Sequence, residues 1–315
     1  MGGENVDVTA IDWAAAYEHR PHSHDKAAPG SDESRAFWDA KAAGFAKKPQ
    51  RSDYLFQLMG LLNLKDGETV FDMGCGSGTL SVPLARAGHD VVAVDFSTGM
   101  LGELEEAAAR AGVAARWGAG ADAPCEGAAS GNAANGGEGT GAEAGASGDI
   151  VLYRRSWQEP WDELPVADVA VSSRSFVTDD LIDGIAKLEA QARRRVVLTC
   201  GAGDLPYRDA RVLEAMGRAE EALMPPAELM IIANYLWSRG RFPRIDYIEY
   251  PGVWHRKTRE EMEETVRAAH APRSEAEEAA LAAFLAEHIV QDGENGWWQM
   301  DYPRQDRWAV IQWEV

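Results

Sequence analysis

The eleven residues from Val70 to Leu80, VFDMGCGSGTL, set three glycines at alternate positions directly behind an apolar run. Glycine loses more backbone freedom on folding than any other residue, so such a cluster marks a path that side chains would block. The run before it, Glu68 to Asp72, reads as a buried strand, and the residues after it as a helix to about Ala87 stopped by Gly88. Strand, glycine turn and helix in that order predict an α/β fold. The turn then sits at the carboxyl end of a strand, where such folds bind ligands.

The same rhythm continues along the chain. Asp90 to Asp95 is a second apolar strand, and Ser97 is placed to cap a helix that Gly112 ends. Further strands are expected at Ile150–Tyr153, Val166–Ser172 and Val196–Cys200, with a helix from Thr178, as its N-cap, to about Ala192. Apolar strands alternating with helices predict a parallel sheet covered on both faces. Two late strands, Ile245–Tyr250 and Trp308–Val315, enclose helices near Arg259–Ala269 and Ser274–His288. Helix patterns around Trp13, Phe37 and Tyr54 suggest an N-terminal helical cap over residues 1–53, with the main domain over 54–315. From Gly118 to Asp149 there is no Leu, Ile, Val or aromatic residue. That stretch lacks the apolar area to offset its ordering entropy and is expected to be a disordered low-complexity insertion.

Composition narrows the partners. Fifty-one acidic against 31 basic residues give a formal charge of -20. Such a balance repels phosphate backbones and anionic membranes, so neither nucleic acid nor a membrane is expected as the partner. Three scattered cysteines imply no disulfide framework. The N-terminus lacks an apolar core and no apolar run is long enough to span a bilayer, which suggests a cytoplasmic protein. His19, His22 and His24 match no established zinc spacing, and no metal is assigned.

The glycines themselves discriminate among ligands. A P-loop needs Lys and then Ser or Thr after its last glycine, and Thr79-Leu80 exclude it. The dinucleotide fingerprint would need glycine where Thr79 stands. Asp72, two residues before the first glycine, is awkward beside a pyrophosphate but suits an ammonium group. S-adenosylmethionine carries an ammonium and a sulfonium and no phosphate.

On these residues the chain resembles the class I S-adenosylmethionine-dependent methyltransferases. Asp72-Met73-Gly74-Cys75-Gly76-Ser77-Gly78 matches their first motif, and Asp95 matches the acidic residue that ends their second strand. The resemblance implies a Rossmann-like sheet of order 3-2-1-4-5-7-6, with added N-terminal helices and a helical excursion between the last two strands. FWDAKAAGFAKKP (Phe37 to Pro49), SWQEPW (Ser156 to Trp161) and SSRSF (Ser172 to Phe176) are similar to a bacterial group of uncharacterised small-molecule methyltransferases.

What the resemblance implies can be carried residue by residue. Gly74, Cys75, Gly76, Ser77 and Gly78 would approach the methionine part of S-adenosylmethionine, and Asp72 its ammonium. Asp95 would accept from both ribose hydroxyls, Phe96 and Met100 would line the adenine, and Ser97 is counted with the cofactor-binding residues; core packing accounts almost as well for Met100. On that reading, Asp95→Asn should lose less affinity than Asp95→Ala. Ser156 and Trp157 occupy the loop where the family usually holds the adenine amino group with an acidic residue; here stacking on Trp157 or a backbone contact could replace that bond. Ser173 and Arg174 follow the fourth strand at the edge facing the methyl group. Arg174 could bind a substrate carboxylate or pair with a surface acid. Tyr207, Asn234, Tyr235 and Trp237 would line the acceptor pocket, while His255 is read as structural.

The reaction implied is methyl transfer to a small molecule by in-line displacement, with S-adenosylhomocysteine as product and no obligatory base. The absence of N-P-P-Y after the fourth strand disfavours amino methylation of nucleic acid. A nicotinamide-dependent oxidoreductase and a non-catalytic cofactor-binding protein remain as alternatives.

Overall fold

The structure, a computed structural model, describes residues 11–19, 28, 30–46, 52–119, 147–202, 208–222, 227–252, 254–293 and 296–315. In chain order the elements are α1 (Trp13–Glu18), α2 (Asp32–Ala46), α3 (Ser52–Leu62), β1 (Val70–Met73), α4 (Ser81–Arg86), β2 (Val91–Asp95), α5 (Thr98–Arg110) and β3 (Ala115–Trp117). There follow β4 (Ile150–Arg154), β5 (Ala167–Ser173), α6 (Leu181–Ala190), β6 (Ala192–Gly201), α7 (Ala210–Ala215), α8 (Ala219–Ala222) and α9 (Ala227–Ser238). The last elements are β7 (Arg244–Gly252), α10 (Arg259–His270), α11 (Glu275–His288), β8 (Ile289–Gln291), β9 (Trp298–Met300) and β10 (Arg304–Glu314).

The long sheet has the strand order β3-β4-β2-β1-β5-β6-β10-β7. With β4 as the expected third strand, this is the Rossmann-like methyltransferase order, extended by the short edge strand β3. Sequence reading missed β3 because its three residues, ARW, carry no apolar run. The strands around the glycine turn pair in parallel, Val70 opposite both Val91 and Val169. All four residues of β1 are buried, as a strand flanked on both sides in a parallel sheet requires. Helices α10 and α11 lie between β7 and β10 in the chain, together with the hairpin β8-β9, which the sequence did not suggest.

The fold divides into two compact units, each interleaved in sequence. One holds the described residues of His24–Leu55, Leu62–Leu198 and Gln312–Val315, and so contains the glycine turn. Its core is built on β1, β2, β4 and β5, with Phe71, Leu84, Leu101, Leu104, Ile150 and Leu152 fully buried. The other holds the described residues of Met1–Ser23, Phe56–Leu61 and Thr199–Ile311. It has a separate apolar cluster in which Val212 and Leu213 of α7 pack with Met262 and Val266 of α10 and Leu281 and Leu285 of α11.

Ser97 caps α5 as expected, its hydroxyl accepting from Met100 N, and Gly112 ends the segment at φ +71°. The cap of α6 is corrected: Asp180, not Thr178, accepts from Asp183 N, while Thr178 Oγ1 accepts from Asp180 N. The helix begins at Leu181, so Asp180 holds the cap position and Thr178 shapes the turn before it. The limits of the low-complexity insertion are also corrected. Gly118 N donates to Leu152 O, Gly148 N to Ala85 O, and Asp149 O accepts from Val91 N. The bounding residues are therefore bonded to β4, α4 and β2, and 120–146 lie outside the described residues. Among the described residues, no helix is long and apolar enough to cross a membrane.

Candidate functional site

The three glycines of the turn all adopt positive φ, +75° at Gly74, +54° at Gly76 and +82° at Gly78, but for different reasons. A Cβ on Gly74 would stand 2.3 Å from Ser175 Cβ, and one on Gly78 would stand 2.7 Å from Leu104 Cγ. Those two positions are closed by the fold. A Cβ on Gly76 would meet nothing within 4 Å, so this glycine alone faces open space. Beside it, Ser77 is 3% exposed and its hydroxyl has no hydrogen-bond partner among the described residues. A buried hydroxyl left unpaired costs free energy unless something else satisfies it. The loop thus has the form of a cradle with one unmet polar group. Cys75 is a buried thiol, pushed upward in pKa by that burial and by the nearby Asp95 and Asp72 charges.

Two buried carboxylates flank the loop. Asp72, in β1, accepts from Ser81 Oγ at 2.6 Å. Asp95, ending β2, accepts from Ser97 N on Oδ1 and from Gly76 N on Oδ2, each at 2.9 Å. Burial raises both carboxyls to about 6, against the hydrogen bonds that oppose it. Neither has a cationic partner among the interactions that shift it. Two carboxylates held out of water without a cation are a standing cost, which a ligand with an ammonium group and hydroxyls can offset. The donor set therefore fits S-adenosylmethionine. Phe96 is half-buried directly after Asp95, and Met100 is buried in the first turn of α5.

The other sequence-nominated residues fall into three groups. In the loop after β4, Ser156 is buried and Trp161 Nε1 donates to its carbonyl, while Glu159 accepts from its N–H. Trp157 is buried too, its ring 5.0 Å from both Trp161 and Phe176, and its Nε1 donates to Ser175 O. Of the two expected roles, stacking on an open indole is corrected by this burial: Trp157 braces the loops after β4 and β5, and a backbone contact is the alternative that stays. At the end of β5, Ser173 Oγ lies 2.9 Å from Tyr54 Oη, and Arg174 sits over the Tyr54 ring at 4.2 Å with φ +58°. A left-handed arginine is strained, and such strain gathers at functional sites.

Asn234, Tyr235 and Trp237 are on α9, in the other unit. Asn234 Nδ2 donates to Met230 O, and Trp237 is half-exposed. Tyr207 lies outside the described residues, as do His22 and His24. His19 Nδ1 lies 2.7 Å from Ala15 O at the end of α1, and His255 pairs with Gln299. Sequence reasoning missed Ser81, Ser175 and Asp39. Ser175 could be found only from its contact with Gly74, and Asp39 lay in the FWDAKAAGF stretch without a role attached.

The chain is similar to several known proteins. Residues 70–127 match a methyltransferase domain family. An uncharacterised protein of Haemophilus influenzae is 30% identical over 283 residues, 88% of each chain. A demethylmenaquinone methyltransferase of Paenarthrobacter aurescens is 55% identical over 40 residues, 13% of this chain and 16% of its own. A methyltransferase of Thiobacillus denitrificans solved with S-adenosylhomocysteine has 14% identity, covering 89% of this chain and 97% of its own, at TM-score 0.45.

The chain belongs to the class I S-adenosylmethionine-dependent methyltransferases. Within that class it groups with the Haemophilus influenzae protein, whose similarity runs through most of both chains. It is a methyltransferase that uses S-adenosylmethionine, and the nicotinamide-dependent and non-catalytic readings are set aside.

Proposed function

We propose that this methyltransferase acts on a small-molecule acceptor and seats its cofactor on the Gly74–Gly78 loop between Asp72 and Asp95. The observation that carries the reading is the open face of Gly76, bonded through its N–H to Asp95 and adjoining the unpaired Ser77 hydroxyl. Asp72 faces the ammonium group, and the free lone pairs of Asp95 accept from the ribose hydroxyls. Gly76 lets the backbone approach, Phe96 and Met100 border the base, and Ser77 Oγ supplies a polar contact. Cys75 and Ser97 shape the cradle through their backbones, and Ser156 and Trp157 support its wall from the loop after β4.

The cofactor supplies an activated methyl group on a sulfonium. What the protein must add is alignment of the acceptor opposite the leaving sulfur. Ser173 and Arg174, at the carboxyl end of β5, face that line, with Tyr54 holding both. The strong negative charge of the chain supports an acceptor without a phosphate backbone.

The test is to supply methyl-labelled cofactor with a metabolite extract, with RNA and DNA, and with extracted protein, in separate reactions. Label is expected in the metabolite fraction. Label confined to nucleic acid or to protein would overturn the small-molecule assignment.

A further inference from the structure

The FWDAKAAGF stretch forms much of α2, and one of its residues reaches the turn that follows Asp95. Asp39 Oδ1 accepts from Ser97 Oγ at 2.6 Å and from Gly99 N at 2.9 Å. Ser97 Oγ, while donating to Asp39, accepts from Met100 N at 3.1 Å. The Asp39 carboxylate thus orients the hydroxyl that caps α5 and takes up a second N–H of its first turn. With Ser97 N already given to Asp95 Oδ1, the N–H groups of Ser97, Gly99 and Met100 are all bound within the chain.

The close approach has its own requirement. A Cβ on Gly99 would stand 3.1 Å from both Cα and O of Asp39 and 3.2 Å from Ala42 Cβ. Asp39 and Ala42 are three residues apart and share a helix face, so Gly99 is the flat spot on which that face of α2 rests. Bond and contact are separate observations that converge on the same turn. Burial leads the upward shift of the Asp95 carboxyl, and the Asp39 charge adds to it, as expected of a carboxylate held nearby.

We infer that Asp39 is a positioning residue for cofactor binding: from the N-terminal helix α2 it clamps the Ser97–Met100 turn and so fixes the Asp95 carboxylate and Phe96 that adjoin it. This rests on the proposed cofactor seat. It assigns α2 a part in the affinity for cofactor that no contact with cofactor supplies. Asp39 sets the angle at which β2 hands over to α5.

The experiment is calorimetric titration of S-adenosylhomocysteine into wild type, Asp39→Ala, Asp39→Asn and Gly99→Ala, with the melting temperature of each apoprotein recorded alongside. Asp39→Ala is expected to weaken binding about tenfold, as about 1.4 kcal/mol per decade corresponds to one lost charge-assisted bond. Asn keeps an oxygen where Oδ1 stands, so Asp39→Asn should return to within about threefold of wild type. Gly99→Ala should weaken binding as Asp39→Ala does, although alanine is the better helix former. If folded Asp39→Ala and Gly99→Ala bind like wild type, with only their melting temperatures lowered, α2 merely stabilises and the inference is wrong. It is equally wrong if Asp39→Asn binds as weakly as Asp39→Ala. Should Asp39→Ala fail to fold, the Gly99→Ala affinity decides. Failure of wild type itself to bind would instead overturn the cofactor seat.

Discussion

Gly76 donates its backbone N–H to Asp95 Oδ2 at 2.9 Å, tying the open tip of the glycine loop to the end of the neighbouring strand. The same carboxylate accepts from Ser97 N on its other oxygen, so the loop after β1 and the turn after β2 are fastened to one side chain. Glycine loop and acidic residue are one mechanical unit. In the proposed seat, the lone pairs left over from that fastening are the ones offered to the ribose hydroxyls.

The three glycines should separate in mutagenesis. Gly74→Ala drives a Cβ to 2.3 Å from Ser175 Cβ and should lower the melting temperature sharply or abolish folding. Gly76→Ala enters open space and should cost only about 1–2 kcal/mol for its left-handed backbone. Its loss should appear instead as at least tenfold weaker S-adenosylhomocysteine binding. Thermal melts and calorimetry on the two variants check the division, and equal loss of stability at both sites would contradict it.

How much of this was legible beforehand depends on range. The glycine loop, Asp95, the Ser97 cap and the strand order around β1 follow from local pattern, because each is fixed by neighbours in sequence. What escaped were groups whose partners are remote. Ser175 meets Gly74 across 101 positions, and Asp39 meets Ser97 across 58. Trp157 looked like a stacking surface because its loop position, not its burial, could be read. Asp180 caps α6 in place of Thr178 because the helix starts at Leu181, directly after it.

Asp72 should trade stability against binding. Its carboxyl, 1% exposed, is raised by burial from 3.8 to about 6, so ionising it costs the folded protein on the order of 3 kcal/mol. Asp72→Asn keeps an acceptor for Ser81 and removes the charge. At pH 7.5 it should raise the melting temperature of the apoprotein by several degrees while weakening cofactor binding. Because the folded value lies above the unfolded one, wild type regains stability as pH falls from about 6 toward 4. The gap between variant and wild type should close over that window in melts taken at successive pH values. A gap that widened there would reverse the sign of the argument.

Cofactor affinity should follow pH in the opposite sense. Asp72 and Asp95 both stand near 6 in the free protein and must be ionised to face an ammonium group and ribose hydroxyls. Protonation of each below that value should cost up to about tenfold in affinity per pH unit. S-adenosylhomocysteine binding is therefore expected to weaken about 10- to 100-fold between pH 7 and pH 5. Flat affinity across that range would show that neither carboxylate meets the ligand.

Deletion of 120–146 should leave melting temperature and cofactor affinity nearly unchanged, since loop closure entropy depends weakly on length. Removing 118–149 is a different change. It deletes the Gly118, Gly148 and Asp149 backbone bonds and the Arg116–Asp149 ion pair at the sheet edge. The longer deletion should melt several degrees below the shorter one in parallel scans.

Asp95 carries the central claim. Its two oxygens each hold a backbone N–H, so the earlier expectation that Asn would be milder than Ala is withdrawn: an amide would set its NH2 against one of those donors. The direct measurement is calorimetric titration of S-adenosylhomocysteine into wild type and Asp95→Ala at pH 7.5, with circular dichroism to show that the variant is folded. Hydrogen bonds to a charged group are worth about 1.5–3 kcal/mol each, which predicts at least 10- to 100-fold weaker binding in the variant. Wild-type affinity in a folded Asp95→Ala protein would contradict the seat proposed here.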